Sequence, residues 1–191
     1  DPRIASIVLW AGPGVRGADV MMEQLRASMR ASGAPDAAIT TAMARQHAVM
    51  DALLTAPDET TAHTALDSVF ASIGNPPPAA QLNMLTSPWF RAFVAYDPAP
   101  ALRGLRMPVL ALLGAKDVQV VATQNEPALR AALAGDREAS VVVLPGLNHL
   151  FQTAGTGAVS EYAQIDETIS PDALKTMGDW LVAHDRGRAA R

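Results

Sequence analysis

The sequence contains no cysteine. That excludes disulfides, thiolate metal sites and cysteine nucleophiles together, and it leaves the redox compartment unassigned. Charge of one sign is also lacking: 15 Lys and Arg stand against 19 Asp and Glu, a formal charge of −4, with the basic residues scattered. No electropositive stripe of the kind that tracks a phosphate backbone is present, so nucleic acid is not an expected partner. Long apolar runs are missing as well. The run Ile4 to Ala11 is far too short for a bilayer and lacks the charged lead-in and cleavage pattern of a signal peptide. Neither a membrane span nor a leader is therefore expected within these residues.

What is present is enough to build a core. With 191 residues, 49% of them apolar, the chain reads as soluble and globular, and its length suits one domain or one and a half. Three short runs of β-branched and aliphatic residues ended by glycine or proline read as buried parallel strands: Ile4 to Trp10, Pro108 to Leu113 and Ser140 to Leu144. Helical patterns follow the second and third, over Thr123 to Leu133 and Ser170 to His184. In the last, Ser170 is the N-cap, Pro171 is N1, and Leu174, Met177, Trp180 and Leu181 form the apolar face. Strand, loop, helix, repeated, is the alternation of an open parallel sheet, whose ligands bind beyond the carboxyl ends of the strands.

Residues 15 to 99 differ in kind. They are rich in Ala, Met and Leu at helical spacing, with helices expected at Ala18 to Ser32, Asp36 to Leu54, Asp58 to Ile73 and Ala79 to Leu85. Gly33-Ala34-Pro35, Ala56-Pro57 and Gly74-Asn75-Pro76-Pro77-Pro78 separate them. The expected organisation is an α/β core of residues 1–14 and 100–191 interrupted by a helical insertion at 15–99.

Two residues stand where such a sheet places its chemistry. Asp117 follows the glycine turn Gly114-Ala115-Lys116, and His149 ends the turn Pro145-Gly146-Leu147-Asn148, 32 positions later. Loops on neighbouring strands lie side by side, so the carboxylate can accept the proton of one imidazole nitrogen while the other faces a nucleophile. The remaining histidines read as structural. His47 shares a helical face with Ile39, Met43, Met50 and Leu54 and is expected to be packed or to line the insertion, whereas His63 and His184 read as surface positions. Met21, Met22, Met29, Met43, Met50 and Met84 are mainly core residues, with an acyl pocket as the alternative for some. Gly12-Pro13-Gly14 and Gly155-Thr156-Gly157 read as turns, because neither has the lysine or longer glycine pattern of a phosphate loop.

The chain resembles the capped α/β-hydrolases, which include esterases, acyl-CoA thioesterase relatives and proline-type serine aminopeptidases. The resemblance is carried by Leu9-Trp10-Ala11-Gly12-Pro13-Gly14, by Ser87-Pro88-Trp89-Phe90 with Tyr96-Asp97-Pro98, by Pro108 to Asp117, and by Leu144 to His149. It covers essentially the whole chain and is most specific at Gly114 to Asp117 and Asn148-His149. It implies a partial hydrolase core of three C-terminal parallel strands with flanking helices, an all-helical cap, Asp117 as triad acid and His149 as triad base. The order nucleophile, acid, histidine in the family agrees with the order of these two. The implied reaction is hydrolysis of a carboxylic ester or related small acyl substrate through an acyl-enzyme, without metal or organic cofactor. Trp89, Phe90 and Met50 are the residues expected at the substrate.

The family's nucleophile is absent. None of Ser6, Ser28, Ser32, Ser68, Ser72, Ser87, Ser140, Ser160 and Ser170 lies in a Gly-x-Ser-x-Gly elbow. Because Asp1-Pro2-Arg3-Ile4 resembles the segment shortly after the elbow helix, the serine and the oxyanion donors are expected upstream of Asp1, along with any targeting segment. The first strand then becomes an open edge, expected to pair with a missing N-terminal half or with a second copy. Two further possibilities are an Asp117 and His149 dyad acting as a general base on water, and a non-catalytic binding or assembly module derived from a hydrolase half.

Overall fold

The computed structural model describes residues 4–74 and 76–185. The opening Asp1-Pro2-Arg3, Asn75 of the proline-rich break, and residues 186–191 lie outside the described residues. In chain order the elements begin with β1 (Ile7–Trp10), α1 (Gly17–Ala31), α2 (Asp36–Thr55), α3 (Glu59–Ile73), α4 (Ala79–Thr86), α5 (Pro88–Ala95) and α6 (Ala99–Arg103). They continue with β2 (Val109–Gly114), α7 (Ala122–Ala132), β3 (Ser140–Leu144), a 3-10 turn at Val159–Gln164, and α8 (Pro171–Asp185). The architecture is α/β, and the chain forms two compact units, Asp1–Val15 with Pro98–Arg191, and Arg16–Asp97.

The first unit is built on a parallel sheet of order β1-β2-β3 flanked by helices. Every residue of β2 is buried, as a central parallel strand covered on both faces requires. β1 is shorter than its sequence promises. The ladder starts where the Ile7 amide donates to the Pro108 carbonyl at 3.0 Å, and Pro108, having no N–H, gives nothing back to extend it. Ile4 is consequently exposed.

The core on one side of the sheet joins Leu110, Leu112, Leu144, Phe151, Ala173 and Trp180. α8 therefore presents Ala173, Met177 and Trp180 to the core, and Leu174 and Leu181 are exposed, contrary to the face expected for them. One residue is about 100° of helical turn, so Ala173, small enough to let the backbone approach, takes the place expected of Leu174. Ser170 caps α8 by accepting from the Asp172 amide at 3.3 Å. His184, expected at the surface, stacks on Trp180 with ring centroids 4.0 Å apart and bonds the Trp180 carbonyl.

The second unit packs α1 to α5 around Val49, Met50, Leu53, Ala62, Leu66, Phe90 and Val94. Its helix ends follow the local chemistry: the Asp58 carboxylate accepts from the Thr61 amide at 2.7 Å, and Gly74 closes α3 in the left-handed region at φ 71°. α5 and α6 were not expected as helices. α5 starts on Ser87, whose hydroxyl accepts from the Phe90 amide at 3.2 Å, and has Pro88 at its first position. A Cβ on Gly17 would stand 2.1 Å from the Phe93 carbonyl oxygen, so glycine is what permits α1 and α5 to cross so closely.

His47 is not packed. The buried stripe of α2 keeps Ile39 and Met50 of the face assigned to His47 but turns toward Val49 and Leu53, and this histidine, left outside it, pairs in solvent with Asp51 at 2.9 Å. His63 pairs likewise with Asp67 at 3.1 Å. Met50 is buried, Met21 and Met22 pack against the same core, and Met84 is exposed. Among the described residues no helix is long and apolar enough to cross a membrane.

Candidate functional site

Asp117 lies one turn beyond the end of β2. Its amide donates to the Gly114 carbonyl, and the two preceding amides, Ala115 and Lys116, donate to Leu144 and Leu147 at 2.9 Å, so the turn after β2 is stitched to the loop after β3. A Cβ on Gly114 would meet the Leu147 carbonyl oxygen at 2.4 Å. Glycine at the strand end thus sets the spacing between the two loops.

The Asp117 side chain is fully buried and fully engaged. Oδ1 accepts from the amides of Gln119 at 2.7 Å and Val120 at 2.9 Å, and Oδ2 meets His149 Nδ1 at 2.8 Å. Two backbone donors fix the carboxylate plane, which fixes in turn the direction from which the imidazole is held. A carboxylate offers only acceptors, so Nδ1 carries the proton and Nε2 is left as the basic nitrogen.

His149 sits at the tip of a tight loop. Gly146 takes φ 75°, Leu147 and Thr153 bridge antiparallel, and Phe151 holds a left-handed φ of 58°. Asn148, which is completely buried, organises the tip. Its Oδ1 accepts from the Leu150 and Gln152 amides, both at 2.9 Å, and its Nδ2 donates to Gln152 Oε1 at 2.9 Å. Gln152 passes the restraint on by donating to the Glu167 carbonyl at 3.0 Å.

The histidine side chain is 27% exposed and lines a cavity of about 560 Å³ with Trp10, Ala11, Gln152, Asp166 and Glu167. The floor comes from the end of β1, where Trp10 packs on Phe151 with centroids 4.2 Å apart. An imidazole with one nitrogen pinned and an open cavity beside it can take a proton from, or return one to, a hydroxyl or water.

A segment at 154–164 is tied over the Asp117 loop. Lys116 Nζ donates to the carbonyls of Ala154 at 2.6 Å and Gly155 at 2.7 Å, and Gln119 Nε2 donates to the Tyr162 hydroxyl at 3.0 Å. Glu161 accepts from the Thr156 and Gly157 amides at 2.7 and 2.9 Å. Hydrogen bonds from Thr156 hold the Glu161 carboxyl below its ordinary value, with Gly157 and Lys116 adding to the effect. Burial raises the Tyr162 phenol, and the charge of Asp117 raises it further, against the Gln119 hydrogen bond.

The residues expected at a substrate are distributed differently. Asp117 and His149 meet in the first unit. Phe90 and Met50 are buried in the second and line one cavity there, whereas Trp89 is 69% exposed and stacks on Phe93 at 5.8 Å. Among the described residues no serine hydroxyl hydrogen-bonds to His149, and no group of three or more His, Asp or Glu is placed to hold a metal ion. Sequence reasoning assigned no role to Asn148, Gln152, Lys116 or Glu161. The one available signal was Asn148 itself, a short amide in a glycine turn directly before the histidine, where such side chains hydrogen-bond nearby backbone.

No family model, no curated protein and no solved structure matches this chain.

Proposed function

We propose that this chain carries the acid and base of a serine acyl hydrolase of the α/β-hydrolase kind, acting on carboxylic esters or related small acyl substrates. The 2.8 Å contact between Asp117 Oδ2 and His149 Nδ1, with the acid otherwise held by two amides and the imidazole bordering a cavity, is the observation that carries the reading. His149 Nε2 takes the proton of a seryl hydroxyl as it attacks the acyl carbon, returns it to the leaving group, and then activates the water that cleaves the acyl-enzyme. Asp117 keeps the Nδ1–H tautomer and stabilises the imidazolium. In this reading the first unit is part of a hydrolase core and the helical unit is a cap.

The seryl hydroxyl comes from outside the 191 residues, on a strand that pairs with the outer edge of β1. That edge is free in the described sheet, and a bare strand edge is a template for another strand. Supply of the elbow restores the full mechanism, whereas proton transfer by the dyad alone is worth about 10²- to 10⁴-fold. The absence of a Gly-x-Ser-x-Gly elbow from the sequence favours a second reading, a binding or assembly module on a hydrolase frame.

The test is short-chain aryl ester hydrolysis by the polypeptide carrying this chain together with the serine-bearing segment. Turnover is expected to vanish in His149→Ala and to fall by about 10⁴-fold in Asp117→Asn, which leaves the imidazole in the wrong tautomer. Activity unchanged in His149→Ala removes the triad assignment, and a complete absence of turnover in the assembled protein selects the binding module.

A further inference from the structure

The helical unit holds a cavity lined by its own residues, Met50 and Phe90 of the expected substrate contacts among them. It has a volume of about 380 Å³, and its floor is Val49, Met50 and Phe90, all buried and part of the core of that unit. Met21, Phe70 and Leu85 continue the apolar wall, and Met84 stands exposed at the margin. This volume falls at the small end of ligand pockets, about 300 to 1,000 Å³, and thioether side chains adapt to flexible apolar shapes.

Its polar lining is one-sided. Arg45 is the single charged residue, accompanied by Gln46 and Gln81, and no carboxylate lines the cavity. Three other arginines of this unit are engaged, Arg16 with Asp19, Arg26 with Glu23 and Arg91 with the Ala56 carbonyl, and Arg30, exposed near the end of α1, does not line this cavity. Arg45, among the described residues, has no such partner. A guanidinium left unpaired at the mouth of an apolar pocket matches a ligand with an apolar body and one anionic end, because its fork of donors suits a carboxylate.

We propose that the helical unit binds a medium-chain fatty acid, with the alkyl chain against Val49, Met50 and Phe90 and the carboxylate at Arg45. The site belongs to the second unit alone, so it stands or falls independently of the Asp117 and His149 reading.

The test uses the full chain with its methionine methyls labelled with carbon-13, titrated with sodium decanoate below its micelle concentration. Saturable binding is expected, shifting the methyl signals of Met21, Met50 and Met84 and leaving those of Met107 and Met177 in place. Arg45→Gln is expected to weaken decanoate by about tenfold or more, the scale of a charge-assisted hydrogen bond, and to leave 1-decanol unchanged. Arg45→Lys keeps the charge and most of the affinity, and the unperturbed methyl spectrum reports that each variant is folded. No saturable binding, shifts at Met107 or Met177 in place of the three expected, or equal effects of Arg45→Gln on acid and alcohol would each overturn the proposal.

Discussion

Replacing Asn148 by alanine tests how the histidine loop is held. The side chain is fully buried and makes three hydrogen bonds, accepting from the Leu150 and Gln152 amides and donating to Gln152 Oε1. The bonds to Gln152 are buried, and that to Leu150 is partly exposed, so water can compensate only the last. Leaving a buried polar group without a partner costs about 1 to 3 kcal/mol, so the two buried groups of Gln152 together predict a loss of about 2 to 6 kcal/mol. Against the usual 5 to 15 kcal/mol of a folded domain, roughly, that is a large fraction. Urea unfolding followed by near-ultraviolet circular dichroism reads it, since Trp10 and Trp180 both belong to the sheet unit. The midpoint should fall with little change in slope, and the Leu150 and Gln152 amides should lose hydrogen-exchange protection. A loss below about 1 kcal/mol, the size of one ordinary hydrogen bond, with both amides still protected, would refute the role given to Asn148.

Leu66→Ala, at a fully buried site of the helical unit, is expected to cost about 2 to 5 kcal/mol in denaturant unfolding; a cost under about 1 kcal/mol would mean that the core of that unit is placed wrongly. Gly157→Ala should destabilise the sheet unit measurably in the same assay, because φ is 81° and the new Cβ would stand 1.9 Å from the Lys116 carbonyl oxygen; equal stability would contradict that close approach. The Glu161 carboxyl is held below its ordinary 4.5 by Thr156 and Gly157, so its contribution is present above pH 4.5 and lost as pH falls through the lower folded value. The stability difference between wild type and Glu161→Gln should accordingly be constant near neutral pH and fade below about pH 4.5, and a difference independent of pH would show that the charge plays no part.

The elements legible in advance were those with strong punctuation. α2 runs from Asp36 to Thr55 between Pro35 and Pro57, and β3 coincides with the apolar run Ser140 to Leu144, because prolines and turn residues end elements by local sterics. The failures lie where tertiary packing chooses. The burial of Ala173 in place of Leu174, and the exposure of His47, depend on which neighbour each helix meets, and turning the buried face by part of the roughly 100° between successive residues is enough to exchange them. α5 is only eight residues long, too short to show a period, although Ser87 and Pro88 marked its start. At the site, Asp117 and His149 were visible because strand ends in a parallel sheet have fixed neighbours. Asn148 stands directly before the histidine, yet two of its three bonds depend on Gln152 folding back across the loop, and nothing in a linear sequence marks that closure.

The most direct measurement is the tautomeric state of His149, read by long-range proton–nitrogen-15 correlation at neutral pH on uniformly labelled protein. Proton on Nδ1 and a bare Nε2, with the Nδ1 signal changed or lost in Asp117→Asn, is the predicted result. A proton on Nε2 in the wild type, or a ring averaging between tautomers as free imidazole does, would contradict the pairing of Asp117 with His149.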